Sequence, residues 1–141
     1  MNYKQFTSNQ GWISFKFPSN LINVEEDEGT YLFYTEDTGS FRITPLKLEG
    51  KTDFDVEQYL KDICNENNGE MLVNQESLSH VFYISKSVDE DEDLTIFNWI
   101  FAIENNIVYC SNTIDTETED EREIIDEKRE IEDIIFSLQI D

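Results

Sequence analysis

Basic residues are scarce in this chain: ten Lys and Arg stand against 32 Asp and Glu among 141 residues, giving a formal net charge of -22 and a pI near 4.1. That shortage excludes nucleic acid as a partner, because gripping a phosphate backbone requires a basic footprint that displaces counterions. Anionic lipid is excluded on the same ground. Histidine is limited to His80, so no histidine-based metal cluster can be assembled, and at the start of an alternating strand His80 reads as a structural or surface residue. The two cysteines, Cys64 and Cys110, lie far apart within apolar patterns and have no CxxC partner. They are expected to be reduced and buried, packing as small hydrophobes.

No apolar run approaches the roughly 20 residues needed to cross a bilayer. The opening MNYKQFTSNQGW lacks the apolar core of a signal peptide, so the expected location of the chain as it stands is the cytoplasm. Two Pro and five Gly are too few to build a flexible linker, and no internal repeat is visible, so a single domain over residues 1–141 is expected. There is no glycine-rich phosphate loop. No catalytic residue, cofactor or metal ligand is assigned.

High charge and a mean hydropathy of -0.53 approach the signature of disorder. Leu, Ile, Val and Phe nevertheless make up 41 residues, about 29 per cent, against the roughly 20 per cent of disordered chains. The chain is expected to fold. Ile13, Phe15 and Phe17 alternate with Trp12, Ser14 and Lys16 as a half-buried strand ending at Pro18. Leu21 to Val24 and Tyr31 to Tyr34 form a hairpin around an acidic turn, and Ser40 to Thr44 continues the meander. Val56, Tyr59, Leu60, Ile63 and Cys64 share one helical face, capped by Asp53 or Asp55 and stopped at Asn67-Asn68-Gly69. Strand-like runs follow at Glu70 to Gln75 leading into Leu78 to Ser87, at Leu94 to Ile103 and at Ile107 to Ile114. A closing helix starts at Thr118, where Thr118 and Glu121 match a capping box. Its apolar arc is Ile124, Ile131, Ile135 and Leu138, with Ile125 and Ile134 at the margins. A terminal strand is expected near Ser137 to Ile140.

Leu94 to Ile103 is apolar on both alternating sets, with Phe97, Trp99, Phe101 and Ile103 on one and Leu94, Ile96, Ile100 and Ala102 on the other. Such a strand is buried on both faces. The fold class expected is α+β, a twisted antiparallel sheet sandwiched between two helices in an α/β/α arrangement.

This order of elements resembles the Mog/PsbP-like superfamily. Trp12 to Ser19 is similar to its opening strand and Pro-containing turn, Phe54 to Asn65 to its first helix, Leu94 to Asn112 to its central hairpin and Glu119 to Ser137 to its closing helix. The resemblance implies the sheet-between-helices layout of the Ran-binding Mog proteins and the PsbP subunit of photosystem II, in an uncharacterised bacterial branch. It transfers no catalytic residue, because the members it evokes are binding or assembly proteins.

Charge is what remains to suggest a role. Net charge is -7 over residues 1–70 and -15 over residues 71–141. Two features carry the excess: the loop Asp89, Glu90, Asp91, Glu92, Asp93, and a ridge on the closing helix made by Glu123, Asp126, Glu130 and Asp133. Asp89, Asp91 and Asp93 match the first ligand positions of a calcium loop, but Leu94 stands where the glycine belongs and Ile100 where the bidentate Glu belongs. Tight calcium binding is therefore not expected. The 32 acids guarantee close carboxylate pairs by chance, so a pair does not identify a glycosidase. The expected function is a non-enzymatic binding module whose loop and ridge hold a basic protein partner, as an immunity protein or an effector chaperone would. The alternative is an enzyme or weak cation-binding domain whose site is not visible in sequence. Oligomeric state is left open.

Overall fold

The computed structural model describes residues 2–9, 11–26, 29–35, 39–48 and 54–140. Among these residues ten strands and two α-helices follow in the order β1 (Tyr3–Thr7), β2 (Ile13–Pro18), β3 (Ile22–Glu25), β4 (Tyr31–Tyr34), β5 (Ser40–Lys47), α1 (Val56–Glu66), β6 (Glu70–Val73), β7 (Ser79–Val88), β8 (Asp93–Ile103), β9 (Asn106–Asp115), α2 (Arg122–Ser137) and β10 (Gln139–Ile140). A seven-stranded antiparallel sheet runs β3-β4-β5-β9-β8-β7-β6, and a smaller one runs β1-β2-β10.

Paired residues in antiparallel strands point to the same face. On one face Phe97 and Phe101 of β8, Val108 and Cys110 of β9, Phe41 and Ile43 of β5 and Phe33 of β4 build the main core. It is closed by Ile124, Ile131, Ile134, Ile135 and Leu138 at α2 and by Phe6, Ile13, Phe15 and Phe17 of the small sheet. On the other face Leu60 of α1 packs on Val81, Ile100, Ala102 and Ile107, with Val56, Tyr59, Ile63 and Cys64 partly buried around it. The large sheet thus lies between the two helices, as expected. The layers are unequal: α1 covers only one end of its face, and Leu94, Ile96, Ser111 and Thr113 toward the other end stay partly exposed.

Local chemistry explains the boundaries. Asp55 caps α1 by accepting from the Gln58 N–H at 3.0 Å, and Asp53 lies outside the described residues. At the far end Asn68 takes the left-handed conformation, φ 53°. Gly69 is needed for a different reason, since a Cβ there would sit 2.9 Å from the Phe82 carbonyl oxygen. The strand expected to stop at Thr44 runs on to Lys47 through Pro45, which pairs only with Val108 of β9 because β4 has ended opposite Ile43. A proline is tolerated where a neighbour is missing.

Four sequence expectations need correction. Trp12 is buried rather than on the polar side of β2, because it precedes the strand and escapes its alternation. β1 was not expected, since Phe6 alone of its residues is buried. Ile134 is core, not margin. The capping box fails: α2 begins at Arg122 with Glu121 as N-cap and no side-chain cap bond. Thr118 belongs to a short 3-10 turn, Thr116–Thr118, where its hydroxyl donates to the Asp115 carbonyl at 3.2 Å.

Candidate functional site

Residues Asp89 to Asp93 form the tip of the β7–β8 hairpin, and all five are exposed. The tip closes on itself: the Asp89 N–H donates to the Glu92 carbonyl at 2.7 Å, and the Asp89 carboxylate accepts from the Glu90 N–H at 2.7 Å. Its neighbour is not the ridge. The β8–β9 register sets Leu94 opposite Asp115, and the Thr116 hydroxyl donates to the Asp93 carboxylate at 3.0 Å while bonding Thr95 at 2.8 Å. Residues 89–93 and 115–121 therefore lie side by side. Ten of these twelve residues are Asp or Glu and none is Lys or Arg.

The ridge on α2 is separate. Glu123, Asp126 and Asp133 are exposed and Glu130 is half-buried. Lys128 stands over the Phe97 ring of β8, 4.2 Å from its centroid, which makes that flank of α2 the one nearest the β7–β8 hairpin. At about 100° per residue the ridge falls on the opposite flank. Burial raises the Glu130 carboxyl above its ordinary range, and the charges of Asp126 and Asp133 push it the same way. Arg122 reaches Asp126 at 3.7 Å on the exposed surface of α2, a contact worth little.

Sequence reasoning singled out the hairpin tip and the ridge but not residues 115–121, which the β8–β9 register sets beside the tip. The signal was available: folding the chain at Glu104 and Asn105, so that Ile103 faces Asn106, obliges Leu94 to meet Asp115.

At this acidic end, away from α1, a cleft of about 550 Å³ opens between the β4–β5 hairpin, the ends of β8 and β9 and the start of α2. Val24, Leu32, Leu94, Ile114 and Ile124 give it apolar walls. The side chains of Tyr34, Ser40, Thr113 and Thr118 bring hydroxyls, and Asp115 and Glu26 bring carboxylates. Glu26 is already engaged, since Arg42 Nε donates to it at 2.9 Å while Arg42 Nη1 donates to Ser40 at 3.1 Å. Gly39 allows the cleft its shape. A Cβ there would run into the Thr113 carbonyl and lie 2.8 Å from Ile114 Cγ2, so the start of β5 can lie flush on β9 only with glycine.

His80 lies elsewhere, buried against the main core and stacked on Phe101. Burial lowers its pKa, while the Leu78 carbonyl 3.2 Å from Nδ1 acts in the opposite sense. Both cysteines are free; Cys110 is buried and Cys64 half-buried, and burial pushes the Cys110 thiol far above its usual range. Tyr59 of α1 and Tyr109 of β9 join hydroxyls at 2.7 Å, a tie across the second face that periodicity did not suggest. Among the described residues no helix is long and apolar enough to cross a membrane.

No curated protein is significantly similar to this chain in sequence. The fold is similar to that of a protein of Bacteroides thetaiotaomicron VPI-5482, with a TM-score of 0.77 and 24% identity, over 100% of this chain and 49% of the other. The chain thus spans about half the length of that protein. It is also similar to cyanobacterial PsbP from Synechocystis sp. PCC 6803, with a TM-score of 0.66 and 8% identity, over 99% of this chain and 92% of the other. The fold is PsbP-like. The family described as Domain of unknown function (DUF3805) matches residues 1–141, and the chain belongs to it.

Proposed function

We propose that this chain is a non-enzymatic binding domain that holds a basic protein partner at the acidic end of its sheet, in the manner of an immunity protein or an effector chaperone. The observation that carries the reading is the juxtaposition of residues 89–93 and 115–121, acidic almost throughout, on the ends of two paired strands. Like charges crowded on a rigid support produce a field that reaches beyond contact distance and speeds the encounter with a basic surface. The ridge on α2 extends that field along a second side. The role proposed with it is one in the cytoplasm, guarding or escorting another protein of the same compartment.

The test is the association rate with a basic protein co-purified from the source cell, measured against ionic strength. The rate should fall steeply between about 50 and 200 mM salt, and the fourfold reversal Asp89→Lys, Asp91→Lys, Asp115→Lys and Asp120→Lys should abolish the dependence. Salt-independent association unchanged by the reversal would refute the proposal.

A further inference from the structure

The field described above attracts any basic surface and so does not select one. Selection requires shape, and the cleft at the acidic end has it. Its volume of about 550 Å³ lies within the range that encloses a small ligand or a few side chains, roughly 300–1,000 Å³. Its walls are of two kinds. Leu32, Leu94 and Ile124 offer apolar contact, whereas Tyr34, Thr113 and Thr118 offer hydroxyl oxygens. Asp115 lines the cleft, exposed and with no cationic side chain in salt-bridge contact among the described residues. Arg42 beside the cleft is occupied by Glu26, so among the described lining residues the uncompensated charge is negative.

Apolar walls set beside hydroxyl oxygens and a carboxylate without a cationic partner complement a side chain with a hydrocarbon stem and a cationic head. Lysine has that construction: four methylenes that bury against hydrocarbon and an ammonium that donates three hydrogen bonds. We propose that the cleft receives a lysine of the partner, presented on an extended segment with apolar neighbours that pack on Leu32, Leu94 and Ile124. The proposal rests on the reading of the chain as a binder of basic proteins and names the feature of the partner that it recognises. Phosphorylated or acidic segments are rejected by the same carboxylates, and an isolated metal ion would leave the apolar walls uncovered.

The experiment titrates the full-length, 15N-labelled chain with three blocked synthetic peptides: one lysine between two leucines, the same peptide with glutamate for lysine, and the same with glycines for the leucines. The lysine–leucine peptide should shift the amides of Leu32, Ser40, Thr113 and Asp115, and the glutamate and glycine peptides should not. Thr113→Trp, which fills the cleft without changing charge, should weaken binding about tenfold or more. Asp115→Asn, on an exposed side chain whose loss leaves the fold intact, should weaken it severalfold. If shifts fall only on residues 89–93 and 117–121 and Thr113→Trp has no effect, the cleft proposal is overturned and the acidic-end reading stands. If the lysine peptide fails to bind while the basic partner still associates with steep salt dependence, the cleft proposal is again overturned alone. If neither peptide nor partner responds to salt or to reversal of the acidic end, both fall.

Discussion

The imidazole of His80 lies against the ring of Phe101, with centroids 4.4 Å apart and planes tilted by 24°. The stack is buried, so the neutral ring is favoured and protonation must work against the fold. Because the folded pKa is lowered from the ordinary value of about 6.5, the contribution of His80 is fully present above that pH and is lost as the pH falls through the folded value. Urea midpoints for the native chain and for His80→Phe, measured from about pH 8 to about pH 5, should diverge below about pH 6.5. The native chain should lose stability relative to the variant. Parallel curves would show that His80 is not protonated against the fold in that range.

Trp99 is 4% exposed on the face of β8 that meets α2. Trp99→Ala should cost about 3 to 5 kcal/mol, as truncation of a large core side chain does. Denaturant unfolding measures it directly; a cost near zero would place the ring outside the core.

Gly39→Ala sets a Cβ against backbone rather than against a yielding side chain. The expected loss is about 1 to 3 kcal/mol, the usual cost of forcing atoms into a packed site. Thermal unfolding equal to that of the native chain would mean that β5 shifts away from β9 at little cost.

Self-repulsion of a net charge of -22 opposes the compact state. Added salt should raise the thermal midpoint at pH 7 between about 0.01 M and about 0.15 M, where the Debye length falls from roughly 30 Å to roughly 8 Å. A flat or falling midpoint would show that repulsion does not limit stability.

The two acidic surfaces should differ. Reversing the ridge with Glu123→Lys, Asp126→Lys, Glu130→Lys and Asp133→Lys should slow partner association less than reversing the acidic end, because the ridge lies on the flank of α2 opposite Lys128. Circular dichroism checks that both variants fold. A larger effect of the ridge reversal would move the docking surface onto α2.

Much of the fold was legible in the sequence because its signals are periodic. β8 is apolar on both alternating sets, which marks a strand between two layers, and α1 repeats its apolar residues at helical spacing. Elements whose signal is tertiary were not legible. β1 is held by pairing with β2 and by Phe6, which leaves no alternation to read. Thr118 and Glu121 have the spacing of a capping box, but the 3-10 turn ahead of α2 spends the Thr118 hydroxyl on Asp115. The candidate site divides in the same way. Its acidic segments stand out in composition, whereas their adjacency depends on strand register, and the cleft depends on α1 stopping short of one end of the sheet.

β10 pairs with β2, setting Gln139 beside Ser14 and Ile140 beside Ile13. The small sheet that closes the main core therefore needs strands that lie more than 120 residues apart in sequence. During synthesis, the edge of β2 at Ile13 and Ser14 must wait for its partner until residues 139–140 have left the ribosome. Contacts so distant in sequence slow folding, and a nascent chain stalled before Gln139 should be far more sensitive to protease than one released after Ile140. Equal resistance of the two would show that the small sheet closes without its last strand. For a protein of this design, the interval between translation of the first strand and the last is the period in which its core is open to chaperones and to aggregation.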